Sequence, residues 1–209
     1  MNLRRSMGLV GLLGAFAMSA YAQDHPVQMA TARPVKVASA IPYTTIDRRV
    51  DGLKQPDQAL YDAIGRLDPK RAEELNGRGD YVSVLSQLRG PMQVIKSYDF
   101  TILNGLDQKD KALLAYSANE MGIALRRGNK NEGEAYNFFR LAVDLNVDTR
   151  IINPEGDPTA PLIALAVSSF NLKRFEESNE RVKEYITKKG PQLELAEKIK
   201  GMLRDKGIE

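Results

Sequence analysis

The chain contains no cysteine and a single histidine, His25, and these two scarcities exclude several kinds of chemistry. Without cysteine there is no disulfide framework, and no thiolate can serve as nucleophile or metal ligand. Because His25 lies near the N-terminus, the rest of the chain lacks the most frequent general base and cannot form a Ser-His pair. We therefore predict no catalytic residue, no metal site and no cofactor, and stability must come from a hydrophobic core.

The sequence also lacks the short motifs that accompany nucleotide binding and acyl transfer. It has no phosphate-binding glycine loop, no dinucleotide fingerprint and no Gly-x-Ser-x-Gly nucleophile motif. The formal charge is only +3, and it falls to +1 when the first 22 residues, which carry two arginines and no acidic residue, are left out. This near-neutral charge gives no electrostatic basis for binding nucleic acid.

Residues 1–22 have the pattern of a bacterial secretory signal peptide. Two arginines at positions 4 and 5 precede an apolar run over 7–18, and the Ala-Tyr-Ala of 20–22 suits a cleavage site. The apolar run is too short to cross a bilayer, which argues against the alternative of a retained anchor helix. We predict a periplasmic or secreted mature protein of 187 residues with no membrane span after cleavage.

Residues 23–55 are rich in Ala, Thr, Val and Pro, and three prolines forbid a continuous helix. We predict an extended or disordered arm. The alternative is a short strand added to a partner, because Val35 and Val37 alternate with polar or small neighbours. The folded domain is predicted to span 56–209.

Helical periodicity and repeated start and stop signals occupy that domain. Leu60, Ala63, Ile64 and Leu67 share one helical face. Aspartates at 68, 80 and 107 are predicted N-caps, and Arg78-Gly79-Asp80 reads as a turn between helices. The predicted helices after the first are 69–76, from Asp80 to just before Gly90-Pro91, 92–106 (with a strand as the alternative), from Asp107 to about Arg127, 132–145, and 191–206.

The helix at 132–145 carries Ala135, Phe139 and Ala142 at the spacing A-x3-F-x2-A, and Gly122 lies in the helix before it. These residues resemble a tetratricopeptide repeat, a two-helix unit in which small residues lie where helices touch and aromatic rings fill the gaps. The resemblance implies an all-α fold in which antiparallel helix hairpins stack as a short solenoid, with the C-terminal helix as a polar-faced cap.

A second similar unit spans 160–189, with Phe175, Ser178 and Val182 at corresponding positions and bulky Tyr185 where a small residue is expected. A degenerate third copy lies near 72–81. Ala135 and Ser178 are 43 residues apart, against about 34 in the standard repeat. The excess forms the loop 148–159.

We expect that loop to be a packed or partner-contacting surface rather than a metal site. Its Asp148, Glu155 and Asp157 lack the regular alternation of a calcium loop. Its two isoleucines, Ile151 and Ile152, are expected to dock on the domain.

The resemblance and the missing catalytic groups predict a noncatalytic protein-protein interaction scaffold of the cell envelope, with a protein or peptide partner. One set of candidate contact residues lies on the helix 132–145, and an alternative set lies on the first helix of each unit, which usually forms the concave side of such scaffolds. The first set is Tyr136, Asn137 and Arg140, and the alternative set is Asn119, Arg126 and Ser169.

Two other classes of function stay open. A carboxylate-dependent cell-wall hydrolase could use a pair among Glu176, Glu177, Glu180 and Glu184. Lysines and arginines lie between these glutamates, which favours a solvated, salt-bridged helix face. The other class is a small-ligand-binding helical bundle.

Overall fold

The computed structural model describes residues 56–208, and within that range every regular element is helical. The predicted all-α class is therefore confirmed for this part of the chain. The predicted signal peptide and arm lie outside the described residues. The elements are α1 (Gln58–Gly65), α2 (Pro69–Gly77), α3 (Tyr81–Ile95), α4 (Phe100–Asn104), α5 (Gln108–Gly128), α6 (Glu132–Asp144), the 3₁₀ turn η1 (Thr149–Ile151), α7 (Ala160–Asn171), α8 (Phe175–Thr187) and α9 (Leu193–Arg204).

Aspartate side chains begin each of the helices α1 to α5. Each carboxylate accepts a hydrogen bond from a backbone N–H in the first turn, which satisfies a donor that has no partner within the helix. Pro69 occupies the first position of α2, where its missing N–H costs nothing. The predicted caps at 68, 80 and 107 are confirmed. The five capping residues are Asp57, Asp68, Asp80, Asp99 and Asp107.

The predicted end of α3 before Gly90-Pro91 is wrong, because the helix continues through both residues to Ile95. An internal proline loses one helical hydrogen bond and costs roughly 3 kcal/mol. Pro91, Met92 and Ile95 are buried in the core, and this burial offsets the local cost. The single helix predicted over 92–106 is consequently divided between the end of α3 and the short α4.

The hydrophobic side chains form two clusters. The first is built by α1 to α6, and the second by α7 to α9. Helix α7 belongs to both, since Leu165 is buried in the first cluster and Leu162 and Ala166 are buried in the second. Each helix from α5 to α8 packs on the next one along the chain, while α5 also packs on α2 and α3.

Two close approaches hold these neighbours together. A Cβ atom added at Gly122 of α5 would lie 2.6 Å from the Phe139 ring of α6, so the two helices meet through a glycine. In the next pair, the Ser178 hydroxyl of α8 donates to the Ala166 carbonyl of α7 at 2.8 Å. A small residue therefore lies at each of the two helix contacts, Gly122 at the first and Ser178 at the second.

Tyr185 fits where a small residue was expected because the chain after α8 provides space for its ring. The side chain is completely buried, and a Cβ atom added at Gly190 would lie 2.1 Å from the ring. The Tyr185 hydroxyl accepts a hydrogen bond from the backbone N–H of Gln192 at 2.7 Å. The bulky residue thus fixes the start of the segment that leads into α9.

The C-terminal helix is observed at Leu193–Arg204, and Ala196, Ile199 and Leu203 are its buried residues. In the loop 148–159, the expected docking of Ile151 is wrong, since this side chain is 51% exposed. Ile152 is half-buried. No helix among residues 56–208 is long and apolar enough to cross a membrane.

Candidate functional site

A polar cavity of about 110 Å³ lies where the loop 148–159 packs on α5. Helix α2 contributes one wall residue, α5 contributes three, and the loop closes the other side. Seven of its ten lining residues carry a carboxyl, amide or hydroxyl group, which is unusual for space beside a helical core. The principal polar residues are Glu73, Tyr116, Asn119, Glu120, Asn153 and Asp157.

The inner wall is built around the carboxyl group of Glu120, of which only 4% is exposed. Its Oε2 atom accepts from Asn76 Nδ2 at 2.8 Å, and its Oε1 atom accepts from Asn119 Nδ2 at 3.1 Å. Burial raises the pKa of Glu120 to about 7, against the opposing effect of the Asn76 hydrogen bond, and the nearby Glu73 carboxylate raises it further. This carboxyl group can therefore gain or lose a proton near neutral pH.

The outer wall is a hydrogen-bond chain that joins three separate elements. The Tyr116 hydroxyl of α5 donates to the Glu73 carboxylate of α2 and accepts from Asn153 Nδ2 of the loop at 2.9 Å. Burial, followed by the bond to Glu73, raises the pKa of Tyr116. The tyrosine therefore stays protonated and holds the loop to the helices.

Two buried acceptors in the lining have no hydrogen-bond partner. Asp157 Oδ1 accepts from the Thr159 backbone N–H at 2.8 Å and from its hydroxyl at 2.5 Å, but Asp157 Oδ2 is unpaired. Asn119, which is 5% exposed, likewise has an unpaired Oδ1 atom. Because an unpaired buried polar atom costs roughly 1–3 kcal/mol, these oxygens suit a guest that donates hydrogen bonds.

The cavity does not have the donor geometry of a metal centre. Within residues 56–208, no three acidic or histidine side chains lie close enough together to hold a metal ion. The chemistry available to the cavity is therefore hydrogen-bond acceptance, negative charge and proton exchange at one carboxyl group.

The six residues predicted to contact a partner lie in three different environments. Asn119 is in the cavity wall, and Ser169 is completely buried in α7. Arg126 is half-buried: its Nη1 atom donates to the Ala164 carbonyl at 3.4 Å, and its guanidinium lies 5.0 Å from the centre of the Phe139 ring. The structure does not bring these three residues together as one surface, and within residues 56–208 only Arg126 of the three makes a polar or ring contact with another helix.

Tyr136, Asn137 and Arg140 lie on α6 beside α8. Tyr136 is 5% exposed, which differs from the expected partner contact, because its hydroxyl donates to Glu177 at 2.9 Å and accepts from Arg174. The Arg174 guanidinium also lies 4.6 Å from the centre of the Tyr136 ring. Arg140 is half-buried and pairs with Asp144, while Asn137 is exposed. Of these three residues, only Asn137 and Arg140 expose side-chain surface to solvent.

The predicted carboxylate pairs on α8 are a charged helix face. Glu176 and Glu180 are exposed, and Glu184 makes ion pairs with Arg181 and Lys188, both at 2.9 Å. Glu177 pairs with Arg174 and binds the Tyr136 hydroxyl. The interpretation as a salt-bridged helix face is therefore confirmed for Glu177 and Glu184.

Sequence reasoning missed the cavity, because Glu73, Glu120 and Asn153 are far apart along the chain and form no motif. The available signal was the four polar residues among positions 116–120, inside a helix whose neighbouring positions are apolar. Polar side chains in such a position require partners from another element. No protein-family model, curated protein or solved structure matches this chain.

Proposed function

We propose that the protein is a noncatalytic protein-protein interaction scaffold of the cell envelope, exported by its N-terminal signal and built from stacked antiparallel helix hairpins. The observation that carries this proposal is that Gly122 of α5 and Ala166 of α7, which hold corresponding positions in the two repeat-like units, each lie in close contact with the next helix, Gly122 with the Phe139 ring and Ala166 with the Ser178 hydroxyl. Two consecutive helix pairs meet through small residues at related positions, which is how helical-repeat scaffolds pack.

A second observation supports a repeated unit. Three hydrogen bonds join a tyrosine hydroxyl to a carboxylate on another segment of the chain, at separations of 41, 43 and 41 residues. A recurring contact distance of this kind is expected when a structural unit of about 40 residues is stacked on its neighbour. The pairs are Tyr98 with Asp57, Tyr116 with Glu73, and Tyr136 with Glu177.

The surface that best suits a partner is the polar edge formed by Asn137 and Arg140 of α6 with Arg174 and Glu177 of α8. We call it the α6/α8 edge. The buried Tyr136 hydroxyl bonds to Arg174 and Glu177 and lies 3.4 Å from Arg140 Nη1. These long side chains are thus ordered before any partner arrives, which lowers the entropy cost of binding. A guanidinium beside an amide presents donors that suit a peptide backbone or a carboxylate.

Co-purification of the tagged protein from its own cell envelope tests the scaffold role. We expect a stoichiometric protein partner, identified by mass spectrometry, with the recovered amount reduced about tenfold when Asn137→Ala and Arg140→Ala are combined. Arg89→Ala, an exposed arginine on α3, is the matched control and should leave recovery unchanged. Recovery of no partner under several growth conditions would contradict the scaffold role. If the double variant recovers as much partner as the wild type, the partner binds a surface other than the α6/α8 edge.

Export is tested separately by the intact mass of the protein recovered from the envelope fraction. A mature chain that begins at Gln23 is expected from the cleavage pattern at 20–22. A chain recovered from the cytoplasm with residues 1–22 still attached would contradict the envelope location, whatever partner it carries.

A further inference from the structure

The polar cavity beside α5 is an unbalanced site, because its walls hold more hydrogen-bond acceptors than donors. The amide and phenol donors of the wall already have acceptors: Tyr116 donates to Glu73, Asn119 to Glu120, and Asn153 to the Tyr116 hydroxyl. Asn119 Oδ1 and Asp157 Oδ2 are left buried and unpaired. A guest that satisfies them must bring its own N–H or O–H groups.

The charge of the lining favours positively charged ligands among those that carry hydrogen-bond donors. Three carboxyl groups line the cavity, those of Glu73, Glu120 and Asp157, and its lining contains no lysine or arginine. None of the ion pairs found among residues 56–208 involves these three carboxyl groups. A cation would therefore be attracted by carboxyl groups that no ion pair of the described domain holds, with Arg127 acting on Glu120 only as a lesser opposing charge.

The size and entrance of the cavity limit the guest further. A volume of about 110 Å³ corresponds to roughly four water molecules at liquid density. Glu73 is exposed to solvent while Asn119 and Glu120 are buried, so the Glu73 carboxylate lies nearest the solvent and the unpaired amide oxygen lies deeper. The space suits a group of about four non-hydrogen atoms that enters past Glu73.

We propose that this cavity binds a small primary ammonium ion, with Asn119 Oδ1 and Asp157 Oδ2 accepting its N–H groups and Glu73 attracting it at the opening. A primary ammonium carries three donors and one positive charge, which matches the acceptors and charge of the lining. A bare metal ion is a poorer match, because no group of three acidic or histidine ligands forms in the described part of the chain.

Ethylammonium is the first probe, titrated into the ¹⁵N-labelled protein while NMR follows the side-chain amides of Asn119 and Asn153. We expect saturable shifts at both amides, with a dissociation constant in the millimolar range. Tetramethylammonium has the same charge but no N–H donor, so it should produce no saturable shift. Absence of saturable shifts up to roughly 50 mM ethylammonium, or equal shifts with tetramethylammonium, would overturn the proposal and leave water as the occupant.

Two substitutions test the assignment of the wall residues. Asp157→Asn keeps an acceptor for Thr159 but replaces the unpaired oxygen by a donor, and Glu73→Gln removes the charge at the opening. Each should weaken ethylammonium binding by about fivefold or more. Unchanged affinity in both would overturn the proposal.

Matched controls exist on the same two elements. Glu74→Gln is next to Glu73 on α2, where Glu74 pairs with Arg71 on the surface, and Glu155→Gln changes an exposed residue of the same loop. Both controls should bind ethylammonium as the wild type does. If they weaken binding as much as the wall variants, the effect is general electrostatics and the site assignment fails. Should Asp157→Asn unfold the loop, the comparison of Glu73→Gln with Glu74→Gln decides the matter.

Discussion

Glu120 combines two opposing requirements in one side chain. Its two oxygens accept hydrogen bonds from Asn76 and Asn119, and both bonds favour the charged carboxylate. Its nearly complete burial favours the neutral acid, and this effect prevails, with the pKa raised to about 7. Glu73 adds to the rise, and Arg127 opposes it. The protonated form of Glu120 can also be hydrogen-bonded. If the amide of Asn76 or Asn119 rotates by 180°, its unpaired Oδ1 atom accepts the proton of the Glu120 acid.

The raised pKa predicts that stability falls as pH rises from about 4.5 to about 7. In that window the folded protein keeps the Glu120 proton and the unfolded chain releases it, so folding becomes less favourable as the pH increases. The full effect is about 3 kcal/mol, reached above pH 7. Glu120→Gln removes the titration, so the variant should be more stable than the wild type at pH 8 and similar to it at pH 5. Urea unfolding at the two pH values measures the difference.

Glu180→Gln is the control for that measurement, since Glu180 is exposed on α8. It should shift the free energy of unfolding equally at both pH values. A Glu120→Gln variant with the same pH dependence as the wild type would show that the buried carboxyl group does not titrate in this range.

At the level of single helices, the sequence predicted starts better than ends. An N-cap depends on one side chain and the N–H two or three residues later, so Asp68, Asp80 and Asp107 could be recognised locally. The end of α3 could not, because the breaking effect of Gly90-Pro91 is local while the burial of Pro91 and Met92 depends on the whole core. Helix continuation here is a tertiary effect.

Two glycine-to-alanine substitutions separate helix propensity from helix packing. Gly201 lies inside α9, and a Cβ atom added there would meet no atom of another element within 4 Å, so Gly201→Ala should raise stability by roughly 1 kcal/mol. Gly122→Ala gains the same propensity in α5, but its Cβ atom would lie 2.6 Å from the buried Phe139 ring. We expect it to lower stability by about 1–3 kcal/mol. Thermal unfolding of the two variants should therefore give shifts of opposite sign, and two increases would refute the glycine contact between α5 and α6.

At the level of the whole molecule, the cavity shows why a site can be invisible in the sequence. Glu73, Glu120 and Asp157 come from α2, α5 and the loop before α7, and hydrogen bonds such as Asn76 to Glu120 span 44 residues. No hydrophobic periodicity or short sequence motif indicates that these three elements come together. The two-cluster core has the same origin, because the division of α7 between both clusters depends on which helices surround it.

The division of the core predicts that α8 and α9 open more easily than the N-terminal helices. Leu203 is completely buried in the second cluster, and Leu88 is completely buried in the first. Leu203→Ala should cost about 2–5 kcal/mol and should raise amide hydrogen exchange in α8 and α9 while α1 to α3 stay protected. Leu88→Ala is the matched change, and its exchange should rise across α1 to α6. In the stacked arrangement that we propose, stability is carried mainly between neighbouring helices, so the effects are expected to stay near the substituted cluster. Equal loss of protection from α1 to α9 in the Leu203→Ala protein would instead show one fully cooperative unit, in which the two clusters fold and unfold together.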